Sequence, residues 1–67
     1  MKLDNYIRVH LYSDKTGFTV ECYRVPVWLL DSGVCKYACR VAKRDFPEMA
    51  YLGWEYMPPD YCPNAVN

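Results

Sequence analysis

Four kinds of side chain in this 67-residue chain are equipped for chemistry. They are the thiols of Cys22, Cys35, Cys39 and Cys62, the single imidazole of His10, the carboxylates of Glu21 and Glu55, and a run of cations. The densest group is the stretch GVCKYACRVAKR at 33–44, where Cys35 and Cys39 stand among Lys36, Arg40, Lys43 and Arg44. Cysteines four apart on a helix hold their Cβ atoms about 5–6 Å apart. A disulfide needs about 3.8 Å, so this pair should not bond within an intact helix. Two such thiolates suit a shared metal if Cys22, Cys62 or His10 completes a tetrahedron. Structural zinc sites, however, are built from paired knuckles on turns, and this chain has one C-x3-C inside a helical pattern. The expectation is that Cys22 and Cys35 are small buried hydrophobes, with Cys39 near the helix boundary. Cys62 is then the thiol best placed to find Cys39 or Cys22 under oxidising conditions. No metal and no other cofactor is expected.

Nucleophilic and acid–base constellations are equally thin. Strand alternation puts His10 on the opposite sheet face from Cys22, which argues against a thiol–imidazole dyad. His10 beside Arg8 reads as a surface residue. Glu21 and Glu55 are placed to pair across strands, but nothing separates them from exposed strand charges. The sequence has no glycine-rich phosphate loop, no G-x-S-x-G and no H-E-x-x-H. A chain of 67 residues also has little room for a pocket that buries a substrate. The expectation is a protein without catalytic residues, not an enzyme.

The elements that position these side chains follow from periodicity. Tyr6 to Tyr12 alternates strictly, with Ile7, Val9 and Leu11 on one face and Tyr6, Arg8, His10 and Tyr12 on the other, which predicts a half-buried strand. Ser13-Asp14-Lys15-Thr16-Gly17 supplies turn formers, with a glycine where a positive φ is needed. Alternation resumes with Phe18, Val20 and Cys22 against Thr19, Glu21 and Tyr23, so the two runs predict a hairpin. Pro26 ends the ladder or marks an edge. Val27 to Leu30 fits either a continued strand or a short helical turn. Asp31-Ser32-Gly33 offers a helix cap, helical spacing runs from about 33 to 45, and Pro47 stops it. Met49 to Met57, with Tyr51, Trp54 and Tyr56, predicts a third strand interrupted by Gly53.

The expected fold is α+β: a three-stranded antiparallel sheet in β-β-α-β order with one amphipathic helix packed on one face. The helix is expected to cover Ile7, Val9, Leu11, Phe18 and Val20. Residues 1–57 form the single compact domain, and 58–67 a proline-rich irregular tail. Read at 100° per residue, Val34, Ala38, Val41 and Ala42 form the core-facing row, with Cys35 and Phe46 beside them. Lys36, Arg40, Lys43 and Arg44 form a basic outer stripe, suited to the negative end of the helix.

Composition narrows the function classes. Apolar residues make up 52 % and aromatics 16 %, which excludes a disordered chain. Eight cations balance eight anions, which removes the usual electrostatic case for free nucleic-acid binding. No apolar run is long enough to cross a bilayer, and MKLDNYIRVH lacks the apolar core of a secretory signal, so a cytoplasmic protein is expected, in a host cell if it is a phage product.

Seven tyrosines then outweigh any motif. Tyr6, Tyr12 and Tyr23 are expected on the uncovered sheet face, and tyrosine suits an interface because it joins contact area to a polar tip. The expected partner-binding set is Tyr6, Arg8, Tyr12 and Tyr23 on the sheet with Lys36, Arg40, Lys43 and Arg44 on the helix. The function expected first is a small non-enzymatic protein-binding module that occupies a surface of a larger protein or ribonucleoprotein complex. Its general character is that of a phage or mobile-element accessory protein, an inhibitor and host-defence antagonist. A homodimer with packed sheets is the other protein-partner expectation. The alternative is a small nucleic-acid-binding module using the same aromatic sheet face, on which bases would stack, and the basic helix stripe, and the third is a metal-binding mini-domain using the four cysteines.

Overall fold

The computed structural model describes residues 4–58. The order is β1 (Asp4–Ser13), β2 (Gly17–Pro26), α1 (Asp31–Asp45) and β3 (Ala50–Tyr56). The strands form one antiparallel sheet in the order β2-β1-β3, with α1 packed on one face, chiefly over β1 and β3. This is the α+β architecture expected from the sequence. The expectations for the proline-rich tail beyond residue 58, Cys62 among them, lie outside the described residues.

The three apolar side chains of β1, Ile7, Val9 and Leu11, have no accessible surface, as their alternation requires. Val34, Ala38, Val41 and Ala42 of α1 meet them, spaced three and four apart on one helical face. Tyr23 and Val25 of β2 complete the buried set. Each large member stabilises the fold by about 1.5–3 kcal/mol relative to leaving it in water. Leu29, Tyr37, Phe46, Met49, Tyr51 and Trp54 close the margins.

The faces of β2 are the reverse of the sequence expectation. Ser13 pairs with Gly17 across the three-residue turn Asp14–Thr16, so residues of equal parity oppose each other: Ile7 with Tyr23, Val9 with Glu21, Leu11 with Thr19. Side chains directly opposite share a face. Tyr23 and Val25 therefore join Ile7 in the core, and Phe18, Val20 and Cys22 stand on the outer face with Tyr12, His10 and Arg8. A one-residue change in the turn would invert this, because the side-chain period is two. Gly17, at φ 79°, closes the turn in the left-handed region that only glycine enters without cost.

Two local features also differ from expectation, and a third, left open by the sequence, is decided. The helix begins at Asp31 with Leu30 as its N-cap and no side-chain cap hydrogen bond. Asp31 instead accepts a 2.8 Å hydrogen bond from the Tyr56 hydroxyl and sits in the first turn, where its charge suits the helix dipole. Val27 and Trp28 form a turn closed by Leu29 N–H donating to the Pro26 carbonyl at 3.1 Å, neither strand nor helix. Cys35, expected in the core, is exposed, and Cys22 and Cys39 are half-buried. A sheet of three strands covers only a narrow sector of a helix, so a thiol at the margin of that sector stays wet.

β3 carries a bulge. His10 opposes Gly53 and Leu11 opposes Tyr51, which leaves Leu52 as the extra residue. Gly53 takes φ 148°, a conformation that side-chain-bearing residues rarely adopt. The bulge lets Tyr51, Trp54 and Tyr56 all lie on the helix side while Glu55 reaches the outer face opposite Arg8.

Candidate protein interface

Among the described residues no helix lies over the outer face of the sheet. Its centre is a charged cluster contributed by β1 and β3. Glu55 Oε2 lies 2.9 Å from an Arg8 guanidinium nitrogen and 2.6 Å from His10 Nε2. Arg8 Nε also donates to that oxygen at 3.1 Å. The His10 hydrogen bond first, and the Arg8 hydrogen bond next, hold the Glu55 carboxyl below its ordinary pKa. Further along, Arg24 Nε stands 4.0 Å from Asp4 Oδ2.

Toward the hairpin turn the same face becomes apolar. Phe18 is 79 % exposed and Val20 48 %. The Phe18 ring meets Tyr12 at 4.9 Å between centroids, tilted by 54°. An aromatic side chain with this much surface in water gains little from folding and has much to gain from a partner. At the other end of β2, Trp28 and Leu30 are each 75 % exposed, flanking the point where the chain leaves the sheet.

Of the sheet residues expected to bind a partner, Tyr6, Arg8 and Tyr12 are on the outer face, and Tyr23 is not. Tyr23 lies in the core, in edge-to-face contact with Tyr37 at 6.2 Å, and its hydroxyl donates to Asp45 Oδ2 at 3.1 Å. Burial, reinforced by the Asp45 carboxylate, pushes the Tyr23 hydroxyl far above its ordinary pKa. The places expected for Tyr23 are taken by Phe18 and Val20. Sequence reasoning missed these two because they are apolar and were assigned to the core. The signal that finds them is the residue count of the turn.

The helix stripe also divides. Lys36, Arg40 and Lys43 are exposed, and the Arg40 guanidinium lies over the Tyr37 ring at 5.7 Å from its centroid. Arg44 is engaged by Asp45, with hydrogen bonds of 2.8 and 3.0 Å. Those contacts with Arg44, ahead of the one from Tyr23, hold the Asp45 carboxyl below its ordinary value. Three of the four expected cations thus present charge to solvent, on the side of the molecule away from the Phe18 face.

The chemistry-bearing groups are arranged as follows. His10 and Cys22 share the outer face, contrary to expectation, but His10 Nε2 is engaged by Glu55. The sheet separates Cys22 from Cys35 and Cys39 on α1. Among the described residues no three of His, Cys, Asp and Glu come together as metal ligands. An open cleft between the hairpin turn and the α1–β3 connection is lined by Lys15, Asp45, Phe46, Glu48 and Met49, with Ser13 Oγ accepting the Lys15 N–H at 3.2 Å. No described helix is long and apolar enough to cross a membrane. The chain matches no protein-family model, no curated protein and no solved structure.

Proposed function

We propose that this chain is a non-catalytic protein-binding module that occupies a surface of a larger partner through the outer face of its sheet. The observation that carries the reading is the apolar row on that face, Phe18 and Val20 beside Tyr12, which the register of the hairpin turns away from the core. Around it stand Tyr6, Arg8 and His10, and Trp28 and Leu30 offer further apolar surface at the end of β2. Exposed aromatics next to arginine are the composition of interface hot spots.

A protein partner is favoured over nucleic acid by the charges. Arg8 is bound to Glu55 and Arg24 stands near Asp4, so the two arginines of this face are balanced by carboxylates before any phosphate arrives. The stripe Lys36, Arg40 and Lys43 lies on the opposite side and is a second surface, suited to an acidic patch. An inhibitor of host defence machinery carried by a phage or mobile element belongs to this class of surface occupant, a role suggested by small size and by the lack of a catalytic motif.

Capture from the native host, read by quantitative mass spectrometry, tests the reading. Phe18→Asp should lose the partner at least about tenfold, a loss of about 1.4 kcal/mol. Lys36→Ala/Arg40→Ala should keep it. If the helix variant loses the partner and Phe18→Asp does not, the contact face is the wrong one. In parallel, a short oligonucleotide at low salt should show no measurable affinity, and a steep salt-dependent affinity would favour the nucleic-acid reading instead.

A further inference from the structure

We propose that Cys35 and Cys39 form a two-thiolate site on α1 that takes a monovalent soft cation, copper(I), one ion per chain. The two residues stand four apart in an unbroken helix, so they share a face with Cβ atoms about 5–6 Å apart. A disulfide needs about 3.8 Å, so the thiols remain separate. Structural zinc takes four ligands, and among the described residues no three candidate ligands come together. A cation held in line between two thiolates requires neither. With metal–sulfur bonds of about 2.3 Å its two sulfurs stand about 4.6 Å apart, a span that side chains converging from these Cβ positions reach. Thiolate is a soft ligand, and softness selects copper(I).

The surroundings suit the same ion. At 100° per residue the pair follows Ala42 around the helix, at the margin of the core-facing row. Tyr51 of β3 packs against the core at this margin. Burial first, then the charges of Cys35 and Cys39, raise the pKa of its hydroxyl, which places the phenol beside both thiols. Cys35 is exposed and Cys39 half-buried, so an ion reaches the pair from solvent.

The charges around the pair favour an anionic complex. Lys36 and Lys43, three residues before Cys39 and four after it, are both exposed. Binding releases the two thiol protons and leaves one copper(I) between two thiolates, with a single net negative charge and no change of oxidation state. The two ammonium groups offset that charge. Asp31, one turn before Cys35, is a hard donor and already accepts from the Tyr56 hydroxyl at 2.8 Å. Cys22 lies across the sheet, on the outer face with Arg8, so this is not a four-cysteine site.

Native mass spectrometry of the reduced full chain, titrated with copper(I) in a glutathione buffer, tests the site. The wild type should retain one copper per chain. Cys35→Ser and Cys39→Ser should each weaken retention by about a hundredfold or more, since losing even a supporting group costs about ten- to a hundredfold. Cys22→Ser/Cys62→Ser should retain copper as the wild type does. Far-ultraviolet circular dichroism of the same samples should be unchanged, which separates a lost ligand from a lost fold. In NMR spectra of the loaded chain, shifts should centre on the amides from Val34 to Arg40 and on the Tyr51 ring. A wild type that surrenders its copper to glutathione overturns the proposal. So does copper retained by Cys35→Ser/Cys39→Ser, copper lost from Cys22→Ser/Cys62→Ser, or zinc held in preference to copper, because each calls for other ligands.

Discussion

The two faces of the sheet are built from similar materials and have opposite fates. The inner face holds Ile7, Val9, Leu11, Tyr23 and Val25, all at 0 or 1 % exposure. The outer face holds Tyr12, Phe18 and Val20, with Phe18 at 79 %. Hydrophobicity does not choose between the two rows of β2, since Phe18-Val20-Cys22 is the more apolar row and it is the one left outside. The choice is made by a three-residue turn and the parity it imposes. An apolar row that folding leaves in water is where function should be sought.

Substitutions that treat the two rows alike should separate them most sharply. Tyr23→Ala empties a buried ring site and should cost about 3–5 kcal/mol, enough to unfold much of so small a domain. Phe18→Ala removes only an exposed cross-strand ring pair with Tyr12 and should cost about 1 kcal/mol or less. Chemical denaturation with a common m-value reads both. A reversed order would mean that Phe18, not Tyr23, is in the core.

The next effect comes from the bulge that brings Glu55 to the outer face. Gly53→Val forces a side chain into φ 148° and should cost about 1–3 kcal/mol, with loss of the β3 pairing visible in amide exchange. A neutral outcome would place the bulge elsewhere. Smaller again, Tyr23→Phe keeps the ring and removes only the hydrogen bond to Asp45, for about 1 kcal/mol in urea denaturation.

The smallest effect is electrostatic and depends on pH. Glu55 is held below its ordinary pKa of 4.5 by His10 and Arg8. A depressed carboxyl adds stability above its unfolded pKa and gives it up as pH falls through the folded one. Wild type should therefore lie slightly above Glu55→Gln in urea midpoint at pH 6, and the gap should close as the solution is acidified below 4.5. The cluster is solvent-exposed, so the difference should also shrink in high salt. A gap that widens as the pH falls below 4.5 would contradict the pairing.

Much of the architecture was legible in the sequence, for physical reasons that name particular residues. Ile7, Val9 and Leu11 alternate without interruption, and Val34, Ala38, Val41 and Ala42 recur at helical spacing, so both elements and their buried faces follow directly. The turn at Asp14–Thr16 with Gly17 was equally clear. The faces of β2 were not, because its two rows are both partly apolar and the ladder, not the composition, assigns them. Tyr23 shows the consequence. Tyrosine reads as a surface anchor, yet its hydroxyl finds Asp45 at the end of α1, a partner 22 residues away that no local pattern reveals. The helix cap failed for a similar reason, since Asp31 is drawn to Tyr56 across the domain. Of the proposed interface, Tyr6, Arg8 and Tyr12 were visible from the sequence. Phe18 and Val20 became visible only with the register.

The central claim is that the Phe18–Val20 row serves a partner and not the core. Capture of the host partner by a Phe18→Asp/Val20→Asp double variant, with its melting temperature recorded on the same sample, tests it most directly. The account predicts a variant that melts close to wild type and retains no partner. A variant that unfolds, or one that captures the partner as wild type does, would contradict it.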